Sequence, residues 1–206
     1  MPKVVPGYKA EARARIVEAA KRLFVTRGYR RTTMDDIADA LGVSKGALYL
    51  YYPGKIDVLK EIQAENRRLS REWMRSVLEH ADPARGLTET FEEVFRTAVT
   101  RDQVALYFEI LGEASHDEEI RETLRLDHRE DLRSLRRFLE ELRRRGWLRG
   151  GVELDTLAFM VVALFQGAVW DLSVGMDPAG VRTVLRRGMG QLIGRPIAPT
   201  APRSRR

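Results

Sequence analysis

The sequence predicts an all-α protein: an N-terminal three-helix helix-turn-helix module followed by a larger helical body. Three observations carry this. Apolar residues recur at i, i+3, i+4 and i+7 in almost every segment, and no segment alternates with the period of two that a half-buried strand needs. Gly28, Gly42, Gly146, Gly150-Gly151, Asp82-Pro83 and Asp177-Pro178 punctuate those segments. Residues 33–55 describe two short helices joined by a tight turn, the shape that places one helix in the DNA major groove.

Residues 1–8 contain Pro2, Pro6 and Gly7 and read as a loose arm. A first helix follows over about 9–27, with Ile16, Ala19, Ala20, Leu23 and Phe24 on one buried face and Gly28 as its C-terminal stop. Thr33 opens the second helix, and Asp36 three residues on approximates a capping box. Met34, Ile37, Ala38 and Leu41 form its inner face. Gly42 makes the turn, Ser44 caps the third helix, and Pro53-Gly54 stop it. A long fourth helix spans about 55–79. Helices over about 86–99, 103–115, 118–145, 154–173 and 178–193 complete the body. Three prolines and four arginines make 195–206 read as a disordered basic tail. The expected divisions are therefore 1–54, 55–194 and 195–206.

Charge is distributed as unevenly as structure. Residues 1–55 hold 11 basic and 5 acidic side chains, whereas 56–194 hold 21 basic and 25 acidic ones. A basic module on a mildly acidic body places phosphate attraction at the N-terminal end. The chain has no cysteine, which removes disulfides and thiolate metal sites. The N-terminus is basic without a long apolar core, so no secretory signal is expected. The longest apolar run, 157–169, contains Gln166 and is followed by Asp171, and reads as too short to span a bilayer. A cytoplasmic protein without membrane contact is expected.

The residues around the turn suit a DNA-reading helix. Its N-terminal end must approach base edges closely, and Ser44, Lys45, Gly46 and Ala47 are short or flexible there. Lys45 suits a guanine edge or a phosphate, and the Ala47 methyl a thymine methyl. Tyr49 shares a face with Lys45, four residues apart. Leu48 and Tyr52 point inward and lock the helix. Thr33 and Lys55 each begin a helix, where free backbone N–H groups and the dipole favour a phosphate oxygen. Tyr51 is a further backbone candidate. Capping alone accounts for Thr33 and Ser44, and solvation for the lysines taken singly. The combination in one basic module is what points to DNA.

Residues 12–62 resemble the N-terminal domain of the tetracycline-repressor-type (TetR/AcrR) transcriptional regulators. The resemblance runs through Phe24, Gly28-Tyr29, Thr32-Thr33, Ile37-Ala38, Leu41-Gly42-Val43-Ser44, Gly46, Leu48-Tyr49, Tyr51-Tyr52 and Lys55, about a quarter of the chain. Ala47, Tyr52 and Gly54 stand where the family commonly has threonine, phenylalanine, and serine or asparagine. The resemblance implies a helix-turn-helix DNA-binding domain plus a C-terminal helical ligand-binding and dimerisation domain. It further implies a homodimeric repressor that reads a palindromic double-stranded operator and is released by a small molecule. A regulator or architectural DNA binder without an effector is the alternative, since the same module would serve it.

In the body, residues 104–111 and 157–170 are apolar nearly all round, as central helices are. The family's four-helix dimer interface falls on the last two helices, which puts Leu164, Ala168, Val184, Leu185, Met189 and Leu192 at the interface. Ala163 and Gly167, four apart, allow close helix approach. Phe91, Phe95, Tyr107, Leu111, Phe138, Phe165, Gln166 and Trp170 are the expected ligand-lining set, in competition with a plain core role. Gln166 is the most pointed of these, a polar group in an apolar run. A fatty-acyl or drug-like hydrophobic effector fits such a lining. Glu109, Glu113 and His116 share a helical face that reads as a charged exterior rather than a metal site. No nucleophile–base pair, phosphate-binding glycine loop or metal-ligand spacing is present, so neither an enzyme nor a cofactor is expected.

Overall fold

The computed structural model describes residues 6–97, 99–148, 151–194 and 197. Among them the chain forms nine helices and no strand: α1 (Pro6–Arg27), α2 (Met34–Leu41), α3 (Lys45–Tyr49), α4 (Lys55–Glu79), α5 (Pro83–Thr97), α6 (Arg101–Ala114), α7 (Glu118–Arg144), α8 (Leu154–Ser173) and α9 (Pro178–Ile193). Residues 1–5, and all of 195–206 except Ile197, lie outside the described set. Where the sequence predicts a loose arm, α1 already begins at Pro6. Where it predicts a disordered tail, Ile197 is buried and its carbonyl accepts a 2.7 Å bond from Arg186.

Local chemistry sets the ends. Thr33 and Asp36 form a full capping box at α2: the Asp36 amide donates to Thr33 Oγ1 at 3.1 Å, and the Thr33 amide donates to Asp36 Oδ2 at 2.8 Å. Gly42 ends α2 at φ 66°, a left-handed conformation natural to glycine. Ser44 Oγ accepts from the Ala47 amide at 3.2 Å and starts α3. Asp82-Pro83, expected as a break before a helix at 86, instead opens α5. Asp82 Oδ1 accepts from the Ala84 amide at 3.0 Å, and proline is tolerated in a first turn because its missing N–H is not needed there. Glu153 and Asp177 cap α8 and α9.

The chain divides into two compact units. The first comprises the chain up to Arg67 together with Ala105–Asp127. Its core joins Phe24, Ile37, Leu48, Tyr52, Leu59 and Ile62 to Leu106, Ile110 and Ile120. The second comprises Arg68–Val104 and the chain from His128 onward. Its core includes Val77, Phe91, Leu139, Leu142, Leu157, Val161 and Leu185, and within it α8 packs on α9. The boundary expected at 54/55 therefore differs from the compact division, which follows tertiary packing of α4, α6 and α7 rather than chain order.

Several expectations for the body are corrected here. Ala168 and Leu185, expected at a dimer interface, are 7% and 2% exposed inside the protomer's own core. Leu164, Met189 and Leu192 are half-buried against that core, whereas Val184 is 67% exposed and points outward. Gln166 is exposed rather than a buried amide. Trp170 is 58% exposed. Phe91, Phe95, Phe138 and Phe165 belong to the second core, and Tyr107 and Leu111 lie exposed in the first unit. With 20 residues, α8 is long and apolar enough to span a bilayer by length and composition, longer than the apolar run alone suggests. One side of it is core, however, and the other side carries the exposed Phe159, Met160, Ala163, Gly167, Trp170 and Val174.

Acid sensitivity follows from the caps. The Thr156 hydroxyl and the amides of Asp155 and Thr156 hold the Glu153 carboxyl at about 2, below its ordinary 4.5. A carboxyl depressed by folding stabilises fully above its unfolded value and ceases to do so as pH falls through its folded one. Glu153→Gln mimics the protonated state. It is expected to melt below the wild type at pH 7, with the gap closing between pH 4.5 and about 2; a gap independent of pH in thermal melts would refute the cap's charge dependence.

Candidate nucleic-acid interface

The outer surface of α3 is small and unobstructed. Ser44, Lys45, Gly46 and Tyr49 are exposed and Ala47 is half-buried, while Leu48 anchors the helix at 0% exposure. A Cβ built on Gly46 would meet no heavy atom within 4 Å, and Gly46 is not among the positive-φ glycines. Glycine inside a helix costs about 1 kcal/mol relative to alanine. Nothing internal repays that cost, which suits a surface that another backbone must approach.

Lys45 is paired. Its Nζ lies 2.7 Å from Asp35 Oδ2, with both side chains more than half exposed. That carboxylate raises the lysine's pKa, so the side chain is charged at neutral pH. Exposed pairs of this kind contribute little, so exchanging the carboxylate for a phosphate costs little. Asp35 was not singled out from the sequence; it lies on a different helix, ten residues away. Arg27 likewise meets Asp36 at 2.9 Å, so both first-turn acids of α2 face cations. The Thr33 hydroxyl donates to Asp36 at 2.6 Å, which occupies its hydrogen with the cap. Leu50 was also missed. It is 86% exposed at the end of α3, and its signal was its offset of two residues, about 200° of helix, from the buried Leu48.

Two of the expected contacts have other work. The Lys55 ammonium donates to three carbonyls, Tyr29 O at 2.6 Å, Thr32 O at 2.8 Å and Arg30 O at 3.3 Å, and sits 4.3 Å from the Tyr29 ring centroid. All three of its donors are engaged, so the side chain is not a free phosphate ligand; only the backbone at the start of α4 remains for that. Burial pulls its pKa down, opposed by Glu113 and Asp117. Tyr51 is half-buried against the first core. Tyr52 is buried, with the Arg13 guanidinium 4.6 Å from its ring centroid. Burial pushes its hydroxyl up to about 12.

The turn that Lys55 holds is also held by α6. The Tyr29 amide donates to Glu109 Oε1 at 2.5 Å. Glu109, expected on an open charged face, thus serves the head. Among the described residues no group of three or more potential ligands could hold a metal ion.

Comparison with known proteins agrees with this geometry. Residues 16–62 match the model for bacterial regulatory proteins of the tetR family, and residues 83–194 match the C-terminal model of BetI-type transcriptional repressors. The chain belongs to the TetR family. It is 30% identical to the Escherichia coli (strain K12) protein described as "Probable acrEF/envCD operon repressor", over 88% of this chain and 90% of that one. It is 25% identical to the HTH-type transcriptional repressor AcnR of Corynebacterium jeikeium, over 90% of this chain and 94% of that one. Salmonella enterica GusR has the same fold, with a TM-score of 0.75 and 25% identity over 94% of this chain and 100% of that one. This TetR-family member is a DNA-binding transcriptional repressor of the helix-turn-helix class, a family of regulators and not of enzymes.

The Lys55 cradle can be tested on its own. Lys55→Met keeps the aliphatic stem but withdraws the ammonium from three carbonyls, of which only that of Tyr29 also accepts a backbone amide, from Thr32 at 3.3 Å. It is expected to cost about 1–3 kcal/mol in urea unfolding, the penalty for unsatisfied buried polar groups. Unchanged stability would show that water replaces the ammonium at no cost.

Proposed function

We propose that this repressor acts in the cytoplasm as a homodimer, binds a palindromic operator through α3, and is released by a small hydrophobic effector held in the second unit. The observation that supports DNA reading most directly is Gly46, a helical glycine at the open end of α3 with no internal reason to be glycine. Around it, Ser44, Lys45, Ala47 and Tyr49 form the reading surface. Thr33 and the backbone at the start of α4 flank it as phosphate contacts.

Dimerisation is supported by the outer face of α8. Phe159, Trp170 and Val174 are 58–59% exposed, and Val184 on α9 is 67% exposed. Such a patch on a lone protomer favours burial against another surface. Gly167, at the centre of that face, again has nothing within 4 Å of its Cβ position, so a partner helix has room to approach. A two-fold dimer presents two reading helices to successive major grooves, which is what a palindrome requires. An effector that prefers a non-binding arrangement of the heads then lowers operator affinity.

Lys45→Ala or Tyr49→Ala is expected to weaken operator binding about tenfold or more with the fold intact, consistent with the 1–3 kcal/mol that a good base contact carries. Gly46→Leu is expected to abolish binding without loss of thermal stability. Gel-shift titrations that leave all three variants at wild-type affinity would remove α3 from the interface. Binding is also expected to weaken steeply with salt, as phosphate neutralisation requires. For the dimer, sedimentation at micromolar concentration is expected to show two copies in the wild type and one in Gly167→Leu. A monomeric wild type would end the palindrome reading.

A further inference from the structure

The second unit carries a groove between the C-terminal half of α4 and the middle of α7 that differs in chemistry from the rest of the body. Its volume is about 270 Å3. Half-buried Met74, Leu78 and Phe138 make an apolar floor, and the guanidinium-bearing Arg71, Arg75 and Arg137 are exposed around it. The spacing explains the arrangement. Positions 71, 74, 75 and 78 share one face of α4, and 134, 137 and 138 share one face of α7. Ser134 lies at the groove and accepts a 3.1 Å bond from Arg137 Nη2.

These arginines stand together around one groove, and none of them has a carboxylate partner among the described residues. Several other arginines of this unit are matched by an acid: Arg85 with Glu89 at 2.8 Å, Arg96 with Glu93 at 2.6 Å, Arg136 with Glu140 at 3.2 Å, Arg182 with Glu92 at 3.2 Å. Among the described residues no carboxylate pairs with Arg71, Arg75 or Arg137. Three uncompensated guanidiniums over a hydrocarbon floor are complementary to one kind of molecule, an anionic head on an apolar body. The planar fork of arginine suits a carboxylate, which it can bind through two parallel bonds. A cation is repelled there. A DNA backbone would leave the apolar floor uncovered. The volume, just below the range of drug-sized pockets, suits a small molecule rather than a protein segment.

We propose that this groove is a binding site for a carboxylate-headed amphiphile of medium chain length. The carboxylate would lie between Arg71, Arg75 and Arg137, and the chain over Met74, Leu78 and Phe138. The proposal rests on the reading that the second unit binds an effector, and it specifies the chemical class: anionic rather than merely hydrophobic.

Calorimetric titration of the full chain with octanoate, octan-1-ol and octyltrimethylammonium tests it. Octanoate is expected to bind at least about ten times more tightly than the other two, the share of a charge-assisted pair. The double variant Arg71→Gln/Arg137→Gln is expected to lose that preference while melting normally, and Ser134→Trp is expected to block binding of octanoate by filling the groove. Wild-type protein that binds octanoate no better than octanol, or an unchanged preference in the double variant, overturns the site. A parallel gel shift separates the two readings. Octanoate that binds through the arginines without releasing operator DNA leaves the site standing and refutes effector release by this ligand. Operator release by octanol with no octanoate preference refutes the site alone.

Discussion

The carbonyls of Tyr29, Arg30 and Thr32 converge on the ammonium of Lys55, and the order of the DNA-facing unit depends on that convergence. The connection between α1 and α2 has no ladder of its own to satisfy these groups. A buried carbonyl without a donor costs more than a bond contributes, so the cation fixes the path of the chain. That path sets the approach of α2, and through Gly42 and Ser44 the placement of α3. Glu109 holds the same turn by its amide, from a helix 80 residues away in sequence. A cation and an anion from two helices thus define one six-residue connection, while the apolar core beneath supplies the burial.

Most of the secondary structure was legible in the sequence because its signals are local. The starts of α2 and α3 follow from Thr33 and Ser44, and α4, α8 and α9 begin and end where periodicity and punctuation place them. The start of α5 was misplaced because Asp-Pro reads both as a break and as a cap with proline in the first turn. The roles of Lys55 and Glu109 were not legible, because a side chain that bonds a distant turn leaves no period in the sequence. On α8, composition shows that a helix is apolar all round but not whether its second face is covered by its own chain or by another. For that reason composition does not show that Gln166 and Trp170 are exposed, nor that Ala168 and Leu185 lie in their own chain's core.

Charge is organised on the same principle in both units. In most places an acid accompanies each base within one or two turns, as along α7, and such pairs contribute solubility more than stability. Where the matching stops, a surface is left for something from outside. It stops in the groove of Arg71, Arg75 and Arg137. Apolar matching stops on the outer face of α8. On the proposed reading, two of the helical glycines with open space at their Cβ positions, Gly46 and Gly167, mark places where a backbone needs room rather than charge.

The Lys45–Asp35 pair has a kinetic consequence. A reading head must search a long polymer whose phosphates are the same everywhere, and bare lysines would hold it on every stretch it meets. On the proposed reading, Lys45 is a recognition lysine occupied by its own carboxylate, and the head meets random sequence with one fewer free cation and a nearby negative charge. On the proposed reading of α3, Asp35 thus tempers the attraction of the head to phosphates of any sequence.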